Sequence, residues 1–499
     1  MVIMIIPLIA TFVAGQLSFN RIPLSDSSAF SDLATYWREQ MSTFGVTSYS
    51  IAIIKDGKVA VLDAVGESEP NSGKKANIDT RYYIASITKT MTATAIAQLA
   101  ERGKLDLDAP VQKYLPRFTL ADADFAKKVT VRDLLCHRPG ITGGEVVTLD
   151  AYTGGITDDR FYKIVGASTP KKQIQYTNVH FTILGRVIQA VTGKPWQTYL
   201  RENVFLPAGM NRSTALVSDC HDDPNFAPPH VIQAGKIVPA PTIKTDRTMH
   251  AAGGVMTTAS DMAKYMTMVM SKGSINGTKI LSAETVGQML SLQSQPKPQG
   301  SIRKIQGFGY AWNLGSYRNT PGFVMHGGGY TGYSAFVCMV PEKGCGVAIL
   351  TNSGAPADGF NTVVSVDVMD RLLGYPLDER LRKSYLDETI RLVAEQSKHK
   401  PIAPNPAVSG QLSLDARKYA GTFHNDLYGD IMIRLSGGNL AFDWDDLPQL
   451  LKSKGLDAFS AHTDADDSGT SCRFVVENGG VKGIEVKMPN EVLRFNRRR

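Results

Sequence analysis

The chain has few cysteines and none at a spacing that binds metal or supports redox exchange. Its 499 residues include five cysteines, and no two form a Cys-x-x-Cys motif. Because five is odd, at least one thiol stays unpaired. Cys338 and Cys345 flank a Pro-Glu-Lys-Gly stretch that reads as a hairpin turn. A cross-strand disulfide between them stays open, and we do not predict one.

Long runs of one charge are also missing. The formal net charge of +7 is spread along the chain, apart from three arginines at 497–499. No cluster of Lys and Arg alternates with aromatic residues as it does in many nucleic-acid binders. We therefore expect no nucleic-acid partner.

Several catalytic motifs are absent. The chain has no Gly-x-Ser-x-Gly elbow, no His-Glu-x-x-His, no P-loop and no dinucleotide fingerprint. These absences disfavour an α/β-hydrolase, a zinc protease and an NTPase. We predict no cofactor and no metal.

Residues 1–15 form an apolar run that is too short for a comfortable membrane span. The run ends in small residues that suit signal-peptide cleavage, which favours a secreted or extracytoplasmic protein without a stable membrane span. The basic region that usually opens a signal peptide is missing. An uncleaved anchor and a buried N-terminal segment therefore stay open as alternatives, and so does a cytoplasmic location.

The remaining sequence predicts helices and strands in at least two domains. With 43% hydrophobic and 20% charged residues, the composition is that of a soluble globular protein. Residues 28–45 have helical spacing, and residues 48–65 read as two strands joined through Asp56-Gly57. More strands are predicted over 307–352, whereas residues 141–172, rich in Gly, Thr and Asp, are predicted to be loops over a site.

The predicted secondary structure changes in the C-terminal part of the chain. Residues 377–397 predict a charged helix, and a Pro-rich linker follows within a connecting segment over 376–410. Residues 411–499 contain short strands and turns, including the tight turn Asn478-Gly479-Gly480. We predict a small antiparallel β-barrel or sandwich there.

Ser86 and Lys89 form the most suggestive pair in the chain. A helix begins near Ser86, and a residue three positions on lies on the same face, which brings the Lys89 amine close to the Ser86 hydroxyl. Serine before a helix is more often only an N-cap. Lysine near a helix N-terminus is unfavourable against the helix dipole, however, which favours a role other than solvation.

Three further segments carry polar residues at the edge of regular structure. Tyr176-Thr-Asn178 precedes an apolar helix that ends before Gly193, so Asn178 could simply cap that helix. Thr258 or Ser260 is the predicted cap of a later helix. The glycines after His326 indicate that a ligand or another backbone approaches a strand closely.

Taken in order, Ser86-x-x-Lys89, Tyr176-x-Asn178 and His326-Gly327-Gly328 resemble the serine β-lactamase and penicillin-binding protein superfamily. Class C β-lactamases, D-Ala-D-Ala carboxypeptidase B-type peptidases, and related esterases and D-aminopeptidases are the most similar branches. The resemblance covers residues 28–375 and includes four supporting stretches, at 53–58, 134–137, 253–261 and 340–352. It implies an α+β catalytic domain, with an antiparallel sheet flanked by helices and a helical subdomain, followed by a lipocalin-like barrel.

The resemblance also implies a mechanism and a set of site residues. Ser86 would form an acyl-enzyme after Lys89, or Tyr176 as a phenolate, removes its proton. The backbone N–H groups of Ser86 and Gly329 would stabilise the oxyanion, and Asn178 would hold the substrate amide or the Lys89 amine. Gly327 and Gly328 complete the substrate-binding strand with His326.

His326 stands where β-lactamases and many penicillin-binding proteins carry a lysine that receives a substrate carboxylate. Histidine binds a carboxylate less reliably, so we expect esterase or amidase activity rather than efficient β-lactam hydrolysis. A structural histidine at a strand edge is the alternative for His326. His137 and His180 are interpreted as structural.

The sequence therefore predicts a serine hydrolase acting on a small-molecule ester, amide or peptide. An acyltransferase using the same acyl-serine, or a non-catalytic scaffold of the same fold, stays open. The C-terminal domain would cap the site or mediate oligomer contacts.

Overall fold

The computed structural model describes residues 19–233, 236–240, 244–354, 356–398, 411–436, 439–445, 447–462, 470–487 and 492–498. The apolar segment 1–15 and the prolines of the predicted linker lie outside the described residues. Among the described residues, no helix is long and apolar enough to cross a membrane.

Helices and strands alternate irregularly along the first part of the chain. The helices are α1 (Ser31–Gln40), α2 (Thr88–Glu101), α3 (Ala123–Ala126), α4 (Val131–Leu135), α5 (Gly144–Thr148), α6 (Asp158–Ala167), α7 (Asn178–Thr192), α8 (Trp196–Leu200), α9 (Ala259–Met270), α10 (Ala283–Met289), α11 (Pro356–Leu373) and α12 (Glu379–Lys398). The strands are β1 (Ser48–Lys55), β2 (Lys58–Gly66), β3 (Tyr82–Tyr83), β4 (His230–Gln233), β5 (Lys236–Pro239), β6 (Met256–Thr257), β7 (Ser274–Ile275), β8 (Thr278–Lys279), β9 (Arg303–Phe308), β10 (Asn313–Tyr317), β11 (Thr320–Tyr330), β12 (Tyr333–Val340) and β13 (Cys345–Thr351).

Seven strands form one antiparallel sheet in the order β2-β1-β13-β12-β11-β10-β9. The predicted first hairpin is present, and Asp56 (φ 51°) and Gly57 (φ 73°) make its turn in the left-handed conformation that such turns require. The predicted α+β class, with an antiparallel sheet flanked by helices, is confirmed.

Both faces of the central sheet are covered. Along β1, Ile51 and Ile53 pack into one apolar cluster with α1 and α11, whereas Ala52 and Ile54 pack into another with α2 and α9. Strand residues alternate between faces, so a strand covered on both sides is apolar throughout. Helix α2 is thereby fixed against the sheet with Ser86 at its entrance.

The loop prediction for residues 141–172 is wrong. This segment contains α5, a π-helical turn over Leu149–Thr153, and α6, which Thr157 caps by accepting a hydrogen bond from Arg160 N. Buried Phe161, Ile164 and Val165 recur at helical spacing along α6 and outweigh the loop-like composition around them.

Two other local predictions are corrected, and one alternative is decided. Thr177 rather than Asn178 caps α7, and of the two caps predicted for α9 it is Thr258 that is present, because in each case the threonine Oγ1 accepts from a backbone N–H of the first turn. The glycines after His326 lie inside strand β11 rather than beside it.

All five cysteines are buried free thiols. The hairpin that carries two of them is present, but Cys338 is opposite Val347 and Cys345 is opposite Val340 across the strands. The two thiols are therefore not cross-strand partners, and no disulfide joins them.

The C-terminal part is a closed antiparallel barrel of eight strands in sequence order, with the last strand pairing with the first. Its strands are β14 (Gly421–Asn425), β15 (Gly429–Ser436), β16 (Asn439–Trp444), β17 (Leu447–Gly455), β18 (Ala458–His462), β19 (Thr470–Glu477), β20 (Gly480–Lys487) and β21 (Val492–Arg497). The predicted barrel is confirmed, including its Asn478-Gly479 turn, where both residues have positive φ. Buried aromatic residues, among them Phe423, Phe442 and Phe474, fill its interior.

The barrel contacts the first part of the chain near α5 and α6. The Asp445 carboxylate lies 3.5 Å from Thr153 Oγ1, and a Cβ added at Gly155 would be 2.0 Å from Asp445 Oδ2. Gly155 is therefore the residue that lets the barrel turn approach this backbone.

Candidate active site

Ser86 lies in a single 3₁₀ turn, Ala85–Ile87, between strand β3 and helix α2. The preceding residue, Ala85, has φ 43°, a conformation that costs energy for a residue with a Cβ. Strain of this kind persists only where the surrounding structure imposes it, and it is frequent at functional sites. The turn presents the Ser86 side chain at the entrance of a buried helix.

Lys89, one turn further on, is fully buried with its amine directed at Ser86. Its Nζ is 2.9 Å from Ser86 Oγ and donates to the backbone oxygen of Ala252 at 2.7 Å. Burial lowers the pKa of the Lys89 amine well below its ordinary value, because the charged form loses its hydration. A neutral amine at this distance can accept the serine proton.

Tyr176 lies over the same amine. The Lys89 Nζ is 4.9 Å from the centre of the Tyr176 ring, and the phenol interacts with the Ser86 hydroxyl. Although 39% of the residue is exposed, burial of the hydroxyl raises the pKa of Tyr176, and the Ser86 interaction offsets this only in part. The phenol therefore keeps its proton at neutral pH. The structure brings residues 86, 89 and 176 together.

Asn178 is the first residue of α7, and its Oδ1 is buried without a hydrogen-bond partner. A buried amide oxygen in this state calls for an explanation, since most such groups are paired. A ligand N–H group in the cleft would supply the missing donor.

His326 has a defined tautomer. Its Nδ1 is 2.7 Å from the carbonyl oxygen of Gly327, so Nδ1 carries the proton and Nε2 holds a free lone pair. That Nε2 is buried and has no partner. Burial, with a smaller effect of Lys89, lowers the pKa of His326 to about 3. The imidazole is therefore a neutral hydrogen-bond acceptor at physiological pH.

The glycine strand lies against the Ser86 turn. Strand β10 pairs with β11 only as far as Met325, so in the described part of the chain the following residues have no paired strand on that edge. A Cβ at Gly328 would be 2.0 Å from the Ile84 oxygen and 3.2 Å from Ser86 N, whereas one at Gly329 would meet nothing within 4 Å. Gly328 thus permits the close approach, and Gly329 lies beside open space.

A tyrosine cluster that the sequence did not reveal flanks this cleft. Tyr83, Tyr152 and Tyr330 surround the Lys244 amine, with ring centres 5.3, 5.7 and 4.0 Å from Nζ. Lys244 donates to the backbone oxygen of Ala151 at 2.6 Å, and burial lowers its pKa to about 7. Tyr83, three residues before Ser86, and Tyr330, next to the glycine run, each lie beside a sequence motif, whereas Tyr152 and Lys244 do not.

The two histidines interpreted as structural also lie here. His137 packs on the Tyr176 ring with 4.6 Å between ring centres, and His180 packs behind His137 at 5.3 Å. Within the described part of the chain, no group of three or more His, Cys, Asp or Glu side chains could hold a metal ion.

The chain is similar to known proteins over most of its length. A family model described as Beta-lactamase matches residues 33–363. Penicillin-binding protein 4 of Amycolatopsis lactamdurans is 30% identical over 359 residues, which are 69% of this chain and 91% of that protein. Unguisins hydrolase ungD' of Aspergillus campestris is 22% identical over 489 residues, which are 92% of this chain and 86% of that protein.

A solved structure extends the similarity to the whole fold. The octameric penicillin-binding protein homologue from Pyrococcus abyssi superposes with a TM-score of 0.59 at 23% identity, covering 94% of this chain and 98% of that one. At this level of identity, the similarity concerns the fold alone.

Proposed function

Because the chain belongs to the beta-lactamase family, we propose that it is a serine hydrolase that cleaves ester or amide bonds through an acyl-enzyme on Ser86. The observation that carries this proposal is the 2.9 Å distance between Lys89 Nζ and Ser86 Oγ, with the amine buried. A hydroxyl becomes an effective nucleophile only when a neighbouring base takes its proton.

In the first step, Lys89 acts as that base. Its neutral amine takes the Ser86 proton while Oγ attacks the substrate carbonyl, giving a tetrahedral oxyanion and an ammonium. The backbone N–H groups of Ser86 and Gly329 stabilise the oxyanion, at about 3 kcal/mol per donor in comparable sites. Burial lowers the pKa of Lys89 and raises that of Tyr176, which favours a neutral amine over a phenolate as the base and supports this assignment.

Collapse of the intermediate breaks the bond to the leaving group, which needs a proton. Tyr176 is placed to pass one on, because its phenol is protonated and interacts with Ser86 Oγ. The Lys89 ammonium then gives its proton to the Tyr176 oxygen, and this transfer returns both groups to their starting state. In deacylation, Lys89 takes a proton from water as the water oxygen attacks the acyl carbonyl. The bond to Ser86 Oγ then breaks as Oγ receives that proton from Lys89, and the acid is released.

His326 and Asn178 point to the substrate class. Both present buried acceptor atoms without partners, Nε2 and Oδ1, at the edge of the cleft. Neutral acceptors complement a substrate with N–H or O–H donors, whereas a carboxylate needs a cation or donors. We therefore expect activity on neutral or donor-bearing esters and amides, and poor hydrolysis of β-lactams.

A probe that acylates or phosphorylates active serines tests the function directly. A fluorophosphonate should label the wild-type protein, and Ser86→Ala should abolish the label. Wild-type protein that folds but takes no label would support the scaffold alternative. Panels of p-nitrophenyl esters, D-amino acid amides and nitrocefin, each with and without added alcohol or amine, then identify the substrate and separate hydrolysis from acyl transfer.

The barrel is proposed to be a lipocalin-like domain over residues 411–499, distinct from a catalytic domain over residues 28–375. Its filled interior favours a packing role over ligand transport. The octameric relative suggests oligomer formation for this chain too. Sizing by light scattering, before and after truncation at about residue 405, tests whether the barrel mediates it.

A secreted or extracytoplasmic location remains part of the proposal and rests on the apolar segment 1–15. Fractionation of cells that express the full chain, followed by N-terminal mass analysis, tests it. Recovery of the uncleaved chain in the cytosol would contradict it.

A further inference from the structure

His137 has an unusual backbone for a buried residue. It follows helix α4 with φ 58°, in the left-handed region, and it is fully buried. Histidine adopts this conformation more readily than bulkier residues but still less readily than glycine. The surrounding contacts must hold His137 in this conformation, and these contacts join it to Tyr176 and its neighbours.

Two hydrogen bonds connect His137 to the residues on either side of Tyr176. Gln175 N donates to the His137 carbonyl oxygen at 2.9 Å, and Thr177 N donates to His137 Nδ1 at 3.3 Å. The backbone is thus fixed immediately before and immediately after the tyrosine.

The imidazole also supports the Tyr176 ring. The ring centres are 4.6 Å apart with a 35° angle between the planes, and Phe181 and Phe308 pack around the imidazole at 5.4 and 5.2 Å. Aromatic pairs at this separation stabilise one another beyond simple burial. The imidazole cannot move away without disrupting that packing.

A hydrogen-bond chain sets the His137 tautomer. Ile141 N donates to His180 Nε2 at 3.3 Å, so the His180 proton lies on Nδ1, which donates to His137 Nδ1 at 3.1 Å. His137 Nδ1 is therefore unprotonated, and its single lone pair is shared between the His180 Nδ1–H and Thr177 N. His180 thus fixes His137 in the tautomer that can accept from Thr177 N.

We propose that His137 is a positioning residue that holds the Tyr176 phenol over Ser86 and Lys89, through its two hydrogen bonds to the flanking backbone and its ring contact. This inference rests on the proposed function, because it assigns Tyr176 a part in acylation. A displacement of the phenol by about 1 Å is enough to cost a large factor in rate.

Two substitutions separate the contacts. His137→Ala removes the Nδ1 acceptor and the ring, and should slow fluorophosphonate labelling of Ser86 about 10- to 100-fold. His137→Asn keeps a short acceptor near the Nδ1 position and tolerates the left-handed backbone. Its labelling rate should therefore lie between those of wild type and His137→Ala.

A double-mutant cycle distinguishes positioning from general structural support. If His137 acts through Tyr176, His137→Ala should cost almost nothing further once Tyr176→Phe has removed the hydroxyl. Additive losses in the two variants would overturn the proposal. Equal labelling rates for wild type and His137→Ala would also overturn it.

Thr130→Ala provides the matched control for stability. Thr130 and Asp133 form the capping box of α4, the helix that leads to His137. The control should lower the melting temperature and leave the labelling rate within about threefold of wild type. If wild-type Ser86 does not label at all, the proposed function fails first; if it labels normally and the cycle is additive, only the role of His137 fails.

Discussion

Lys89 Nζ lies 2.9 Å from Ser86 Oγ and 2.7 Å from the backbone oxygen of Ala252, inside a fully buried environment. Burial acts on the pKa of this amine in one direction, downward, because the ammonium form has lost its hydration. Desolvation, rather than a nearby cation, therefore lowers the pKa of the base next to Ser86.

Replacing the buried amine should separate activity from stability. Lys89→Met keeps a similar volume without a polar group, and it should slow acylation of Ser86 by about 10²- to 10⁴-fold, the usual contribution of a general base. Unfolded lysine takes up its proton below about pH 10.4, whereas the folded site resists protonation. The wild-type site therefore loses stability as pH falls from that value towards the lowered pKa of folded Lys89.

Lys89→Met should accordingly be more stable than wild type at neutral pH, with a gain that grows as pH is lowered from 10 to 7. Thermal melts across this range measure it. A variant that is less stable than wild type at every pH would contradict the burial argument.

The pH dependence of acylation should identify the base. If Lys89 takes the proton, the labelling rate should rise with pH and level off well below pH 10, since burial lowers the pKa of Lys89. A phenolate base would instead give a rate that still rises above pH 10, because burial raises the pKa of Tyr176. His326→Gln should leave the acid limb in place, since the pKa of His326 is lowered to about 3.

Recognition of a carboxylate should be gained by one substitution. His326→Lys places an ammonium where the structure has a neutral acceptor, and a charge-assisted hydrogen bond contributes about 1.5–3 kcal/mol. Acylation by nitrocefin should rise roughly 10- to 100-fold relative to that by a neutral ester. His326→Gln, which stays neutral, is the control; an equal rise in both variants would argue against a role for charge.

Two adjacent glycines should respond differently to the same added methyl group. Gly328→Ala would place a Cβ 2.0 Å from the Ile84 oxygen, within the backbone of the serine turn. We expect a loss of about 1–3 kcal/mol in unfolding free energy and slower acylation. Gly329→Ala meets open space and should leave stability nearly unchanged. Chemical denaturation of both variants, side by side, checks the difference.

The sequence revealed the parts of the site that depend on short-range geometry. Ser86 and Lys89 meet because they are three residues apart in one helical stretch, and such neighbours can be read from spacing. The hairpin at Asp56-Gly57 and the barrel turn at Asn478-Gly479 were likewise predictable, since few residues adopt left-handed turns.

Contacts between distant segments could not be read in this way. Tyr83, Tyr152 and Tyr330 converge on Lys244 from four separate segments, and no local pattern encodes that meeting. The helices within residues 141–172 were missed because Gly, Thr and Asp suggest loops, while tertiary burial of Phe161 and its neighbours decides the outcome.

Mass spectrometry of the protein after brief exposure to an activated ester directly tests whether Ser86 is the nucleophile. We expect one added acyl group, located on the peptide that contains Ser86, and its loss in both Ser86→Ala and Lys89→Met. An acyl group found on another residue, or one that persists on the folded Ser86→Ala variant, would show that Ser86 is not the acylated nucleophile.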